Sequence, residues 1–301
     1  MKILVTGGAG FFGSHIVDAL RARGDDVVVL DDLSTGDRAN LDPSVRLVVT
    51  DVSDRARTRG ALGGESFDAV VHCAAKTKVI ESIEQPDRYH DVIVDGTSNV
   101  LDLAQSGGAS VFVNANTGGA LYGETPVCAT EDAPLAAPSP YGRYKAEAER
   151  LALSTAGLRT VSLRFANIYG PRQRQDLEGG VVAIFIGCWQ RREPLRLFGD
   201  GTAERDYIYV GDCVEAVLSA LQTPDRGAYN VGTGVATSVN ALVGSLRALL
   251  GPPPGIERAA AKAGELQRSC LNVSKAARDG LWRPRTALSE GLARTVADQL
   301  G

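Results

Sequence analysis

A tyrosine and a lysine four residues apart, in Tyr141-Gly142-Arg143-Tyr144-Lys145, are the side chains of this chain best suited to do chemistry. Positions i and i+4 of a helix share one face. An ammonium beside a phenol stabilises the phenolate and lowers a pKa that starts near about 10. A tyrosine tuned in that way takes a proton from a hydroxyl at neutral pH, given a hydride acceptor alongside. The spacing alone recurs by chance in many helices. The start of the chain supplies a partner for it: Met1-Lys2-Ile3-Leu4-Val5-Thr6-Gly7-Gly8-Ala9-Gly10-Phe11-Phe12-Gly13-Ser14-His15 reads as a strand, a glycine turn and a helix.

These residues need a scaffold that brings them to one edge. Val/Ile/Leu runs at 2–6, 27–31, 45–49, 68–72, 110–115 and 160–165 alternate with helical patterns that include 12–23, 86–106 and 140–156. Such alternation predicts βαβ units, and so an α/β fold with a doubly wound parallel sheet covered on both faces. After Arg164 the regularity falls: Gly170-Pro171, Gly179-Gly180, Gly199-Asp200-Gly201 and Gly232-Thr233-Gly234 punctuate shorter elements, and Pro252-Pro253-Pro254 marks a surface loop. We divide the chain into a dinucleotide-binding domain over 1–166 and a smaller C-terminal lobe over 167–301. The lobe is partly interleaved with the sheet through a strand and helix near 207–232. Ser139-Pro140-Tyr141 reads as a helix start, with Ser139 at the N-cap and Pro140 in the first turn. Tyr141 then stands at the helix mouth and Lys145 one turn deeper. Thr117 follows a strand and lies at the carboxyl edge of the sheet, where ligands bind in open α/β folds.

In this context Gly7, Gly10 and Gly13 let the backbone approach a pyrophosphate seated on the helix N-terminus. Asp31 ends the second strand, where a carboxylate holds both ribose hydroxyls of an adenosine. It would repel a 2′-phosphate, and no arginine follows at once to receive one, so NAD is expected over NADP. Asp51-Val52, after the third strand, falls near the adenine. His72-Cys73-Ala74-Ala75, after the fourth, offers small residues past which a cofactor can run.

The 301 residues have room for one large α/β domain with a lobe. A net charge of −4 without a basic block points away from nucleic acid and from anionic membranes as partners. No apolar run approaches the ~20 residues that span a bilayer, and residues 1–6 enter a strand directly, without a secretory signal. Cys73, Cys128, Cys188, Cys213 and Cys270 are scattered, with no C-x-x-C pair, and read mostly as buried small residues in a reducing cytoplasm. Three histidines and no clustered carboxylates leave no parts for a hydrolytic zinc centre.

Further segments extend the pattern nearly end to end: Asp31-Asp32-Leu33-Ser34-Thr35-Gly36, Thr117-Gly118-Gly119-Ala120-Leu121-Tyr122-Gly123-Glu124, Arg164-Phe165-Ala166-Asn167-Ile168-Tyr169-Gly170-Pro171-Arg172-Gln173, Gly199-Asp200-Gly201-Thr202-Ala203-Glu204-Arg205-Asp206-Tyr207, Tyr229–Gly234 and Gly264-Glu265-Leu266. With these, the chain resembles the NAD-dependent nucleotide-sugar epimerase/dehydratase family of extended short-chain dehydrogenases/reductases, and most of all its UDP-hexose 4-epimerase branch. The resemblance implies a Rossmann-like domain and tightly held NAD. It implies that Thr117 hydrogen-bonds a sugar hydroxyl, Tyr141 is the base, and Lys145 holds the nicotinamide ribose. Phe11, Phe12, Asp32, Leu33, Ser34, Thr35, Gly36, Lys76 and Phe165 join the cofactor set. Arg205 is expected on the diphosphate, with Lys262 where many relatives carry a second arginine. Asn167 is expected to bind substrate, and Val181, Val182, Leu197 and Phe198 to bound the uridine.

The implied reaction oxidises a UDP-hexose to a 4-keto sugar and returns hydride to the opposite face, inverting C4. Ser269, or Cys270 if the register slips by one, would gate the sugar 2-substituent, and as a small residue would admit N-acetyl forms. A cytoplasmic homodimer is implied, pairing helices near 86–106 and 140–156. Ile93, Val100, Leu101, Leu103, Ala104, Ala148, Leu151 and Ala152 supply apolar positions there for core and interface, or for the intramolecular core alone.

The chain also departs from its relatives. Ile93 replaces a cofactor-reaching asparagine, Asn116 replaces a serine and can still hydrogen-bond, and Lys76 and Lys78 add charge near the nicotinamide end. A 4,6-dehydratase would carry an Asp-Glu pair where this chain has Gly118 and Gly119. A decarboxylase would ordinarily show a glutamate in that stretch and a basic site for the sugar carboxylate. A non-catalytic NAD-binding regulator would tend to lose the Tyr/Lys pair, which is intact here.

Overall fold

The computed structural model describes residues 1–176, 180–261 and 266–300. β1 (Lys2–Thr6), β2 (Asp26–Asp31), β3 (Arg46–Val49), β4 (Ala69–His72), β5 (Val111–Thr117) and β6 (Arg159–Phe165) pair in parallel. The chain leaves this sheet and makes β7 (Asn167–Tyr169), β8 (Leu195–Phe198) and β9 (Glu204–Tyr209), then returns with β10 (Gly227–Val231) against β6. The resulting seven-stranded order is β10-β6-β5-β4-β1-β2-β3. The strand order reverses between β1 and β4, and a crevice opens there at the carboxyl ends, where such sheets bind ligands.

Because successive strand residues point to opposite faces, the two sides of the sheet bury different sets. Ile3, Val5, Val27, Val29, Val71 and Val113 pack with Ile16, Val17, Leu20, Val214 and Val217. Leu4, Val28, Leu30, Val70 and Phe112 pack with Leu62, Val100, Leu103 and Ala152. The first face is therefore covered by α1 (Phe11–Ala22), and the second by α2 (Arg55–Leu62). Then come α3 (Val79–Glu84), α4 (Pro86–His90), α5 (Gly96–Ser106), α6 (Gly119–Tyr122) and α7 (Pro140–Ser154), of which α5 and α7 complete the second face. α8 (Val181–Arg191) belongs to the lobe, and α9 (Val210–Gln222) returns to lie beside α1. Strands 2–6 and 160–165 and helices 12–23 and 140–156 thus stand within a residue or two of where the hydrophobic periodicity puts them.

The lobe has its own core of Phe185, Leu195, Leu197, Tyr207, Leu242 and Leu292. Here β9 pairs with β7, with β11 (Ala236–Ser238) and with β13 (Arg268–Ser269), and β8 pairs with β12 (Ile256–Ala259). The helices α10 (Val239–Leu250), α11 (Ser274–Arg278) and α12 (Leu288–Leu300) follow. No helix among the described residues is long and apolar enough to cross a membrane.

Three expectations need correction. The helix expected over 86–106 is α4 and α5 joined by one wide π turn, Asp91–Asp95. Next, Ile93, Val100, Leu101, Leu103, Ala104, Ala148 and Ala152 are all buried within the chain, so they serve the core; of that set only Leu151 is partly exposed. Finally, the cysteines do not all remain thiols: Cys128 and Cys270, separated by 142 residues, form a disulfide. Ala129 and Leu271 pair beside it, and the Ala129 and Asn272 N–H groups donate across the same join. Nothing local in the sequence announces a pairing over that distance. Cys73, Cys188 and Cys213 are free.

His72 ties this scaffold together beneath the crevice. The Thr97 hydroxyl donates to the Ile93 carbonyl at 2.5 Å, so its oxygen must accept from His72 Nε2, 3.0 Å away. His72 Nδ1 then accepts from the Thr6 hydroxyl at 2.7 Å, and the Thr6 oxygen accepts the Ala74 N–H at 3.2 Å. The network works only with a neutral ring, and burial pushes the His72 pKa down to about 3. As pH falls below the ordinary histidine value of about 6.5, the unfolded chain takes up a proton that the folded one refuses, so stability is lost progressively toward pH 3. At roughly 1.4 kcal/mol per unit, the full loss is of order 5 kcal/mol. Replacing His72 by Gln should lower stability at pH 8 and flatten its decline between about pH 6 and 4. Urea unfolding at a series of pH values checks this, and an unchanged acid slope would contradict it.

Candidate active site

A cleft of about 950 Å³ runs from the β1–α1 turn to the lobe. Its cofactor end is built by glycines. Gly7 has a φ of +67°, and a Cβ there would lie 2.8 Å from the Ala74 nitrogen, so the turn and the segment after β4 pass in backbone contact. α1 starts at Gly10 with no side-chain cap and no acid in its first turn, which leaves N–H groups at the cleft wall for an anion. Asp31 is buried at the end of β2, with Oδ2 accepting from Ala9 N–H at 2.9 Å and Oδ1 from Leu33 N–H at 2.8 Å. Burial raises its pKa, opposed by backbone hydrogen bonds from Leu33, Ala9 and Gly10, and the carboxylate retains acceptor capacity for a ribose hydroxyl.

Gly7, Gly10, Phe11, Phe12, Gly13, Asp31, Asp32, Ser34, Thr35, Asp51, Val52, Cys73, Ala74, Ala75, Lys76 and Phe165 all line the cleft. Leu33, packed against the sheet core, and Gly36 do not line it, though they belong to the same loop as Asp32, Ser34 and Thr35. Asp51 accepts from Ser53 within its own turn. Phe165 meets Phe12 edge-on, with ring centroids 4.9 Å apart. The donor set suits an unphosphorylated dinucleotide: an anion-binding turn, small residues and a buried carboxylate at the ribose.

The reactive end lies where β5 meets α7. Ser139 caps α7 by accepting from Gly142 N–H at 3.2 Å, and Pro140 occupies its first turn. Tyr141 and Lys145 follow one turn apart, and the Tyr141 hydroxyl shares a hydrogen bond with Thr117. Lys145 is buried, and its Nζ donates to the Ala115 carbonyl at 2.8 Å. Burial lowers the Lys145 pKa to about 8, countered by Cys73 and Glu149. The expected depression of the Tyr141 pKa is not what the protein alone produces. Burial pushes it up to about 12, and the Thr117 hydrogen bond is the group that opposes this. A neighbouring charge is visible in the spacing of two residues, whereas desolvation depends on everything packed around them. The Cys73 thiol is likewise raised to about 12 by burial.

The other end of the cleft, where substrate is expected, belongs to the lobe. Asn167, Val181, Leu197, Phe198, Arg205 and Ser269 line it. Val182 instead packs in the lobe core, and Lys262 lies outside the described residues. Ser269 stands opposite Arg205 across the β13–β9 pair. Asp206, next to Arg205, is buried and accepts from Thr233 and Gly234, which fixes β9 against the turn after β10. Of the two residues considered for the sugar gate, Ser269 faces the cleft, whereas Cys270 is buried in the disulfide.

Arg172 and Arg174, to which the sequence alone assigns no role, also line the cleft. Arg172 pairs with Asp18 at 2.7 Å and donates to Ser14, both on α1, while Arg174 donates to the Thr35 carbonyl. They fold the lobe down over the cofactor end. Arg172 belongs to a motif visible in the sequence, but its fold-back onto α1 depends on tertiary path and has no local signal.

Residues 3–232 match the NAD dependent epimerase/dehydratase family. Among curated proteins, a putative UDP-glucose 4-epimerase of Methanocaldococcus jannaschii is 38% identical over 98% of this chain and 97% of its own length. Two solved structures superpose over 100% of this chain and 99% of their own. A UDP-glucose 4-epimerase of Thermotoga maritima with UDP-glucose has a TM-score of 0.96 at 36% identity. A Thermus thermophilus UDP-glucose 4-epimerase in complex with NAD has a TM-score of 0.94 at 39% identity. In sequence and in fold, this chain belongs to the NAD dependent epimerase/dehydratase family.

Proposed function

We propose that the protein inverts C4 of a UDP-hexose, interconverting UDP-glucose and UDP-galactose through a 4-keto sugar. One observation carries this reading: Thr117, Tyr141 and Lys145 meet in the same cleft as Asp31, and the two positions after Thr117 are glycines that cannot shuttle a proton. A Cβ on Gly118 would lie 2.5 Å from a Leu271 methyl, and one on Gly119 would lie 3.0 Å from Ser269 Oγ. The acid/base pair of a dehydratase is therefore missing from these positions, and a side chain at either would have to displace Leu271 or Ser269. Glu124, the next acid along the chain, accepts from the Gln267 and Arg268 N–H groups at 2.8 and 2.7 Å.

Bound NAD supplies the acceptor and donor of hydride at C4, and its cationic ring favours a phenolate nearby. Thr117 orients the sugar 4-hydroxyl, and Tyr141 takes its proton and later returns it. Lys145 holds the ribose and, while charged, favours the phenolate. Arg205 anchors the diphosphate through its planar fork, so that the freed hexose turns over while the nucleotide stays put. Tyr141→Phe keeps the ring and removes the base, so kcat should fall by roughly 10²–10⁴-fold with NAD still bound. Near-normal turnover would assign the proton to another residue.

Ser269 at the wall supports a pocket open to a 2-acetamido group, and we propose that UDP-N-acetylglucosamine is also epimerised. Ser269→Tyr should depress that activity selectively, through a clash felt only by the larger sugar. A wild type that turns over UDP-glucose alone would contradict the gate.

We propose further that the protein is a homodimer through α5 and α7. The buried apolar residues are already committed to the core, so the contact falls to the outer ridge of α7, with Tyr144, Glu147 and Leu151. Light scattering should give twice the 31.7 kDa chain mass. A monomer at micromolar concentration would overturn this.

A further inference from the structure

Beneath the three proposed catalytic residues, a buried amide reaches both of the elements that carry them. Asn116 is 5% exposed on β5, one residue before Thr117. Its Nδ2 donates to Glu149 Oε2 at 2.8 Å and approaches the Lys145 carbonyl at 3.4 Å. Its Oδ1 accepts the Thr117 N–H at 2.9 Å. Glu149, one turn beyond Lys145 on α7, also accepts from Ser162 at 2.7 Å and from the Arg164 guanidinium at 2.6 Å. Arg164 in turn donates to Tyr122. Every polar atom of the Asn116 amide is thereby committed, and its donor and acceptor ends cannot be exchanged: only an NH2 can face the carboxylate, and only an oxygen can face the Thr117 N–H.

We propose that Asn116, clamped by Glu149, is a positioning residue for the epimerisation, holding Thr117 on β5 in register with Tyr141 and Lys145 on α7. This rests on the catalytic roles proposed above. Asn116 stands at the cleft wall, but its amide is committed to Glu149, Lys145 and Thr117, so it acts through those residues and not on the reacting atoms. Its effect is on the geometry of proton transfer, where a misplacement of about 1 Å costs on the order of 10²-fold. It should therefore appear in kcat and not in binding.

Two substitutions test this, with Tyr141→Phe measured beside them. Asn116→Ala removes both ends of the bridge. It should lower kcat for UDP-glucose by at least about tenfold, with KM and co-purifying NAD unchanged. Asn116→Asp sets a second buried carboxylate against Glu149, and such a pair retains one proton. With the proton in place the introduced carboxyl still donates to Glu149. Without it the bridge breaks by repulsion. The kcat of Asn116→Asp should therefore fall relative to wild type as pH rises over roughly 6 to 9. Adding Glu149→Gln, whose amide can donate to the introduced carboxylate, should abolish that fall.

Asn116→Ala within about twofold of wild type would overturn the proposal. So would a loss of KM and bound NAD in step with kcat, or a pH-dependent fall that Glu149→Gln leaves in place. An active Tyr141→Phe would place the failure instead in the catalytic assignment itself.

Discussion

The ion pair between Glu149 and Arg164 is the interaction on which the active centre rests. Both residues are almost fully buried, at 3% and 6% exposure, and their closest approach is 2.6 Å. Burial by itself would raise the Glu149 pKa, yet hydrogen bonds from Arg164, Ser162 and Asn116 hold it below the ordinary carboxylate value. Removing one partner of such a pair typically costs about 3–5 kcal/mol, because the other is left charged and dry. The pair fastens α7 to β6 directly behind Tyr141 and Lys145. Through Tyr122, which donates to Asn230, it continues to β10, and Asn230 donates to the carbonyls of Ala129 and Asn272. One buried network thus joins α7, the sheet and the segment that carries Ser269.

That arrangement explains how one chain can hold a cofactor rigidly and a substrate from the other side. The cofactor end belongs to the sheet, where β1, β4 and α5 are stitched by His72. The substrate end belongs to the lobe, whose strand β13 is tied to the loop after α6 by Glu124 and by the Cys128–Cys270 disulfide. The two meet at Thr117 and Gly118, and Leu271 fills the space beside Gly118. A side chain there would have to displace Leu271, and glycine carries no acid or base of its own.

Much of this is legible in the residues themselves. Alternating apolar runs place the first six strands, because a sheet buried on both faces demands them, and Ser139-Pro140 places the start of α7. The glycine turn and Asp31 indicate the cofactor end by residue type alone. Features set by tertiary path are not legible. The disulfide joins positions 142 residues apart, and Arg172 reaches back to Asp18 on α1 from beyond the whole of the sheet's first six strands. That the apolar residues of α5 and α7 serve the core is decided only once their neighbours are known. The Tyr141 pKa also escapes, since it is set by the burial of the phenol, opposed by the Thr117 hydrogen bond, and both depend on packing.

The central claim is that NAD, held through the whole cycle, accepts the C4 hydride and gives it back to the opposite face. UDP-glucose carrying deuterium at C4, incubated with the purified protein and no added nucleotide, tests it most directly. The account predicts UDP-galactose with the deuterium still at C4. Deuterium lost to water, or no C4 inversion, would contradict it.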